Sequence, residues 1–197
     1  VRGDRRLPDG SWNWWIEGEP GVALIRIMHF GEQTADEVRV VLEAVATRCA
    51  ADGVRGLVID LRGNGGGLLN AAVDVCDLFV DEGVIVSTRA ADGELEPQPA
   101  TAGRLLPDVP LVVLVDGLTA SAAEIVAACL QDSGRATIVG SRSYGKGTVQ
   151  SLLPLSDGSA TLKLTTAEYL RPSLSPIHRD ADDDDAATWG VRPLPDQ

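Results

Sequence analysis

Ser121, Lys146 and a run of glycines near position 65 are the residues whose types and spacing could do covalent chemistry in this 197-residue chain. Asp116-Gly-Leu-Thr-Ala-Ser121-Ala-Ala-Glu124 sets a serine among small residues where a helix should begin. There its hydroxyl could attack an electrophile while the Ala122 N–H supports a developing oxyanion. Ser121-x-x-Glu124 is also a capping box, which accounts for the serine without any chemistry, so both explanations stand at this point. The segment is not a G-x-S-x-G elbow, because Thr119 and Ala123 occupy the glycine positions. A Ser–His–Asp relay lacks a placed histidine: His29 ends an early strand and His178 adjoins an acidic run. That leaves Lys146 as the base. A lysine amine can serve near neutrality only where burial or nearby dipoles favour its neutral form, which an apolar setting among Val139, Tyr144 and Val149 would supply.

Two glycine-rich loops invite other chemistry. Arg62-Gly-Asn-Gly-Gly-Gly67 fails G-x-G-x-x-G because Leu68 takes the last position. Its adjacent glycines could instead bring backbone close to a substrate and aim amide hydrogens at an oxyanion; a plain tight turn is the competing explanation. Gly140-Ser-Arg-Ser-Tyr-Gly-Lys146 matches G-x-x-x-x-G-K, but Gly147 stands where a magnesium-binding Ser or Thr belongs, and Thr148–Leu155 reads as a strand rather than a helix. What survives is a lysine between two glycines, where a flexible backbone could deliver its amine into a cleft; a solvated surface lysine is the competing explanation. No nucleotide or other cofactor and no metal is expected.

The elements that must hold these residues alternate. Thr34-x-x-Glu37 is a capping box opening a helix to about Ala51, with Val38, Leu42, Val45 and Cys49 on its apolar face. Gly56–Asp60 is a short apolar strand, followed by the glycine loop and by helical spacing from Leu68 to Val80. Val84–Thr88 and Pro110–Asp116 read as further strands, then a helix over Ala122–Gln131 and a strand over Ala136–Gly140. Thr148–Leu155 and Ala160–Leu170 flank the turn Ser156-Asp-Gly-Ser159 and predict a hairpin, and Ser11–Ile16 with Val22–Met28 predict another. Alternation of this kind argues for an α/β fold. Residues 1–10 are expected to be an N-terminal arm, 92–110 a surface excursion, and 178–188, containing Asp180-Ala-Asp-Asp-Asp-Asp185, a solvated acidic loop with weak calcium binding as the lesser alternative.

Composition bounds the rest. The length fits one domain over 1–197, and 44% hydrophobic residues can bury a sizeable core. The net charge of −12 repels phosphate backbones, which disfavours nucleic-acid binding. The apolar runs fall far short of the roughly 20 residues that span a bilayer. Cys49, Cys76 and Cys129 are too few and too scattered for a disulfide framework or a zinc site, so buried free thiols are expected. The chain does not start with Met and lacks a signal-peptide apolar stretch, so any targeting segment is expected to lie outside it.

Four segments, Gly56-Leu-Val-Ile-Asp-Leu-Arg-Gly-Asn-Gly-Gly-Gly-Leu-Leu69, Thr119-Ala-Ser-Ala-Ala-Glu-Ile125, Leu130-Gln-Asp-Ser-Gly-Arg135 and Ser143-Tyr-Gly-Lys-Gly-Thr-Val-Gln150, together resemble the carboxyl-terminal processing, or tail-specific, serine peptidases. The resemblance runs from about Gly21 to Pro193 in colinear order, and its motifs are specific because all four agree. It implies a ClpP/crotonase-like spiral of β-β-α units, a mixed sheet with helices on its faces. It implies Ser121 as nucleophile, Lys146 as general base and Gln150 as the group orienting the lysine amine. It implies an oxyanion hole from the Ala122 amide and from Gly66 or Gly67. Asp132 also matches a family position, more structural than catalytic. The implied partner is a polypeptide with an exposed C-terminus, and the implied location is periplasmic or otherwise extracytoplasmic. The chain departs from the family pattern in having no room for a peptide-binding PDZ module of roughly 80–100 residues, so either such a module lies outside this chain or substrate is recruited otherwise. Thr-Ala-Ser-Ala-Ala-Glu keeps only the central serine of the family's serine-rich motif. A non-catalytic ligand-binding domain on the same scaffold is the alternative, and acyl-CoA chemistry in the crotonase manner, using the glycine-loop amides but not the serine, is a third.

Overall fold

The computed structural model describes residues 1–101, 103–106, 108–155, 158–180 and 189–193, with side chains for all of these except 48–52. In chain order the elements are β1 (Arg5–Arg6), β2 (Trp12–Asn13), β3 (Val22–Arg26), α1 (Thr34–Asp52), β4 (Gly56–Asp60), α2 (Leu69–Asp77), β5 (Val84–Ala90), β6 (Leu95–Pro99), β7 (Leu111–Val115), α3 (Ala122–Asp132), β8 (Thr137–Gly140), β9 (Thr148–Pro154) and β10 (Thr161–Leu170).

Four short apolar strands form a wholly parallel sheet in the order β3-β4-β7-β8. Strands this apolar need cover on both faces, and consecutive parallel strands need a crossover long enough to supply it, which α1 and α3 are. The register sets Ile25, Ile59, Val113 and Ile138 side by side across all four strands, each of them buried. Every residue of α3 from Ala122 to Leu130 is buried, so the helix that follows Ser121 is a core element over most of its length. Cys76 on α2 and Cys129 on α3 are the buried free thiols the sequence suggests, and burial pushes the Cys76 thiol up. The Cys49 side chain lies outside the described residues.

The remaining long strands make a second, antiparallel sheet in the order β6-β5-β10-β9. The expected hairpin is present as β9 and β10, with Leu153 opposite Leu162 and a bulge between Thr165 and Ala167. The strands therefore divide between a parallel sheet, an antiparallel sheet and the short β1–β2 pair.

Several expectations are corrected. Residues 1–10 are not a loose arm: β1 pairs with β2, Arg2 bridges to Arg26, and Gly3 is buried. Of the first predicted hairpin the second arm is β3, whereas the first arm is a strand only at Trp12–Asn13, which pairs with β1, and meets β3 through a single bridge from Trp15 to Ala23. The Thr34 hydroxyl turns back to the His29 carbonyl and accepts from Gly31 N–H, so no capping box closes there. The excursion 92–110 contains β6, whose two prolines are tolerated because it lies at a sheet edge. The α2 helix stops at Asp77, before the predicted Val80. Of the acidic loop 178–188, only residues 178–180 fall among those described.

Candidate active site

Glu124 sits on the first turn of α3, the one charged residue in a run of apolar side chains, and it is fully buried. A buried carboxylate has to be paid back in hydrogen bonds, and four donors converge on it. Its Oε2 accepts from Ser121 N–H at 2.9 Å and from Lys146 N–H at 2.7 Å. Its Oε1 accepts from the Ser143 hydroxyl at 2.6 Å and from Gly145 N–H at 2.7 Å. Burial pushes this carboxyl above the ordinary glutamate range, and the four donors pull it part of the way back. One oxygen thus joins the backbones of the serine and the lysine. The serine itself has φ 56°, an uncommon conformation for a residue with a side chain and one seen where surrounding structure over-determines it. The capping box that the sequence predicts at Ser121 and Glu124 is present.

The glycine loop is fastened to the same place. Ala120 N–H donates to the Asn64 carbonyl at 2.9 Å, and the buried Asn64 side chain spans from Ile27 O to Gly66 N–H, both at 2.8 Å. The Asp116 carboxylate accepts from Gly63 N–H at 3.0 Å. Gly66 has φ +99°, and a Cβ there would lie 2.7 Å from the Ala120 carbonyl oxygen and 2.9 Å from the Ser121 Cβ, so only glycine lets the loop approach the serine this closely. Of the two glycines expected in an oxyanion hole, Gly66 already spends its N–H on Asn64. Gly67 N–H and Ala122 N–H have no hydrogen-bond partner among the described residues. His29 lies on this side of the site, with Leu68 along one cavity.

Lys146 reaches the site through its backbone. Tyr144 N–H donates to the Thr119 carbonyl at 2.9 Å, and the Ser143 hydroxyl accepts from Val191 N–H at 2.7 Å while donating to Glu124. The flanking glycines answer to crowding rather than flexibility. A Cβ on Gly145 would stand 2.7 Å from the Trp189 ring, and one on Gly147 2.4 Å from the His178 nitrogen. The expected apolar setting is absent, since Lys146 is exposed and so are Val139 and Tyr144. Among the described residues no hydrogen bond joins the Ser121 hydroxyl to the Lys146 amine. Gln150 is exposed on β9, and its Nε2 donates to the Thr165 hydroxyl at 2.6 Å rather than to anything on Lys146. His178 shares a cavity with Lys146, a placement that sequence separation conceals. Asp132 is structural, as expected: it pairs with Arg171, accepts from Ser173 N–H at 3.1 Å, and so ties the tail to the end of α3. Burial raises its carboxyl, and Arg171 and Ser173 more than offset this, holding it below the usual range.

Sequence reasoning treated Glu124 only as a cap and passed over Asn64 and Ser143. A signal for the first existed: a lone charge in Ala-Ala-Glu-Ile-Val-Ala-Ala-Cys-Leu must be buried and must find partners.

A serine heads a core helix, a glycine loop lies against it and a lysine loop is anchored to the same first turn, all on an α/β framework of the ClpP/crotonase-like class. Residues 21–188 match the family model described as Peptidase family S41, and the chain belongs to that family. It is 42% identical over 159 residues to the carboxy-terminal-processing protease of Bartonella bacilliformis, covering 80% of this chain and 36% of that protein. It is 42% identical over 165 residues to the carboxyl-terminal-processing protease of Synechocystis sp., covering 83% and 37%. Among solved structures it is similar to the photosystem II D1 C-terminal processing protease, with a TM-score of 0.75 and 34% identity over 89% of this chain and 43% of that one. The chain therefore spans little more than a third of the length of the curated relatives it matches.

Proposed function

We propose that this chain carries the catalytic centre of a serine endopeptidase of Ser–Lys type that cuts polypeptides near an exposed C-terminus. The observation that carries the reading is the Glu124 carboxylate oxygen shared by Ser121 N–H and Lys146 N–H, which fixes the two residues relative to each other. Ser121 Oγ attacks the scissile carbonyl carbon while the neutral Lys146 amine takes its proton and later gives it to the leaving amine. The carbonyl oxygen becomes an oxyanion that accepts from Ala122 N–H and Gly67 N–H, a role their lack of a partner among the described residues supports. Gly66 shapes the approach to the serine and Asn64 holds the loop. Gln150 offers its side-chain carbonyl oxygen to orient the lysine amine, its Nε2 being held by Thr165. Bound polypeptide would cover the exposed lysine and exclude water from it.

The names of the relatives support a C-terminal processing substrate class, and the family resemblance supports an extracytoplasmic location; no helix among the described residues is long and apolar enough to cross a membrane. Ser121→Ala tests the role of the serine. Hydrolysis of an unfolded or tail-exposed protein should disappear while the protein stays folded, with a stability loss no larger than that of the cap, about 0.5–2 kcal/mol. A serine that only caps would lose about 0.5–2 kcal/mol of stability and keep cleavage.

A further inference from the structure

A chain of net charge −12 gathers positive charge in one cavity. The space of about 530 Å³ beside Lys146 is walled by Arg142, Arg179, His178 and Trp189. Both guanidinium groups lie over the same ring, with Arg142 at 4.5 Å and Arg179 at 4.9 Å from the Trp189 centroid. For Arg179, stacking on the ring steadies the guanidinium without consuming its N–H donors. Arg179 has no carboxylate partner among the described residues, so its fork remains for an acceptor. Two more polar atoms lie in the same walls: Trp189 Nε1 and His178 Nδ1 are buried with no hydrogen-bond partner among the described residues. The indole nitrogen can only donate, and the imidazole nitrogen donates in one tautomer and in the charged form. A buried donor without an acceptor needs an explanation, and here several point to one kind of missing group.

We propose that this cavity is a carboxylate subsite, which takes one carboxylate of the polypeptide substrate and holds it beside Lys146. A carboxylate is planar and accepts only, and an arginine fork binds it in two parallel hydrogen bonds. The local charge reversal would also draw an anionic group inward past an acidic surface. Gly145 and Gly147 make the loop that bears Lys146 part of the same wall, since they pack against Trp189 and His178. The subsite therefore sits at a fixed distance from the proposed base and limits how far from the bound carboxylate the chain can be cut. The inference rests on the peptidase reading for the kind of substrate and adds the chemical class of one group on it.

The test reads binding, so it does not depend on turnover. A Ser121→Ala protein is titrated with three peptides of one apolar sequence: a free C-terminal acid, the C-terminal carboxamide, and a carboxamide with glutamate as the last residue. The free acid should bind about tenfold more tightly than the plain carboxamide, the scale of a charge-assisted pair. Adding Arg179→Gln should cut that preference to less than about threefold with an unchanged unfolding midpoint, and Arg179→Lys should restore part of it as a point charge without the fork. Tight binding of the glutamyl carboxamide would identify a side-chain carboxylate as the bound group; weak binding would identify the chain terminus. Acid and plain carboxamide binding alike, neither binding measurably, or a preference that survives Arg179→Gln would overturn the proposal. Failure of the peptidase reading shows elsewhere, as a Ser121 in the parent protein that does not react with a fluorophosphonate, and leaves the binding ratio to be judged alone.

Discussion

Ser121 and Lys146 stand on scaffolds of different character. The serine heads α3, buried from Ala122 to Leu130, behind a parallel sheet whose central layer is Ile25, Ile59, Val113 and Ile138. The lysine leads into β9, an edge strand of the antiparallel sheet, where Leu152, Leu153, Leu162 and Leu164 of the hairpin are exposed. One half is close-packed around a buried helix; the other is an edge with little packed against it, and local opening is cheaper there. Glu124 spans the difference, because it belongs to the rigid half and accepts hydrogen bonds from both. A two-residue site built across such a divide depends on its connector as much as on its reacting groups.

Removing the connector should have the largest effect. Glu124→Ala strands four donors in a buried place, two of them beside Ser121 and Lys146, and at about 1–3 kcal/mol for each unsatisfied donor the loss should reach about 4 kcal/mol or more in denaturant unfolding, with peptide hydrolysis abolished. Glu124→Gln should fall between it and the parent, because the amide keeps one acceptor and turns a donor toward N–H groups. Within the rigid half, Ile59→Ala should cost about 2–5 kcal/mol through lost burial and the cavity left behind.

The Asp132–Arg171 clamp, which ties the tail to α3, should matter less and in a pH-dependent way. Its carboxyl is held below the ordinary value, so its contribution is present above the unfolded-state value of about 3.8 and is lost as pH falls through the lower folded-state value. Asp132→Asn should therefore lower stability at neutral pH by roughly 1.5–3 kcal/mol and flatten the acid limb of a stability–pH curve, with less difference from the parent in strong acid. At the exposed hairpin, Leu153→Ser should change stability by no more than about 0.5 kcal/mol in the same assay. A large loss there would mean that the two halves are less unlike than their burial shows.

The sequence made the rigid half easy to read, because Gly56–Asp60 and Leu111–Val115 are short apolar runs bounded by turn residues and the helices between them have clear periodicity. The β6 strand was hidden by Leu-Glu-Pro-Gln-Pro, a composition that argues against a strand unless it lies at an edge. The Thr34 cap failed because a local motif competes with partners it cannot see, here the His29 carbonyl and the Gly31 N–H. At the site, the loops bearing Ser121 and Lys146 were legible from residue type and spacing. The hydrogen bond from Gln150 to Thr165 was not, because it depends on the register of β9 against β10 and its bulge. Nor was the closeness of His178 to Lys146, which comes from the tail folding back over Gly147.

The central claim is that Ser121 is activated by the neutral amine of Lys146, and the rate at which a fluorophosphonate labels Ser121 in the Lys146→Arg protein tests it most directly. Arginine keeps the positive charge and cannot give up its proton at working pH. The account predicts that the parent labels at Ser121, faster as pH rises, and that Lys146→Arg is nearly unlabelled at every pH while remaining folded. Labelling of Lys146→Arg at close to the parental rate would contradict it and pass the base role to His178 or His29.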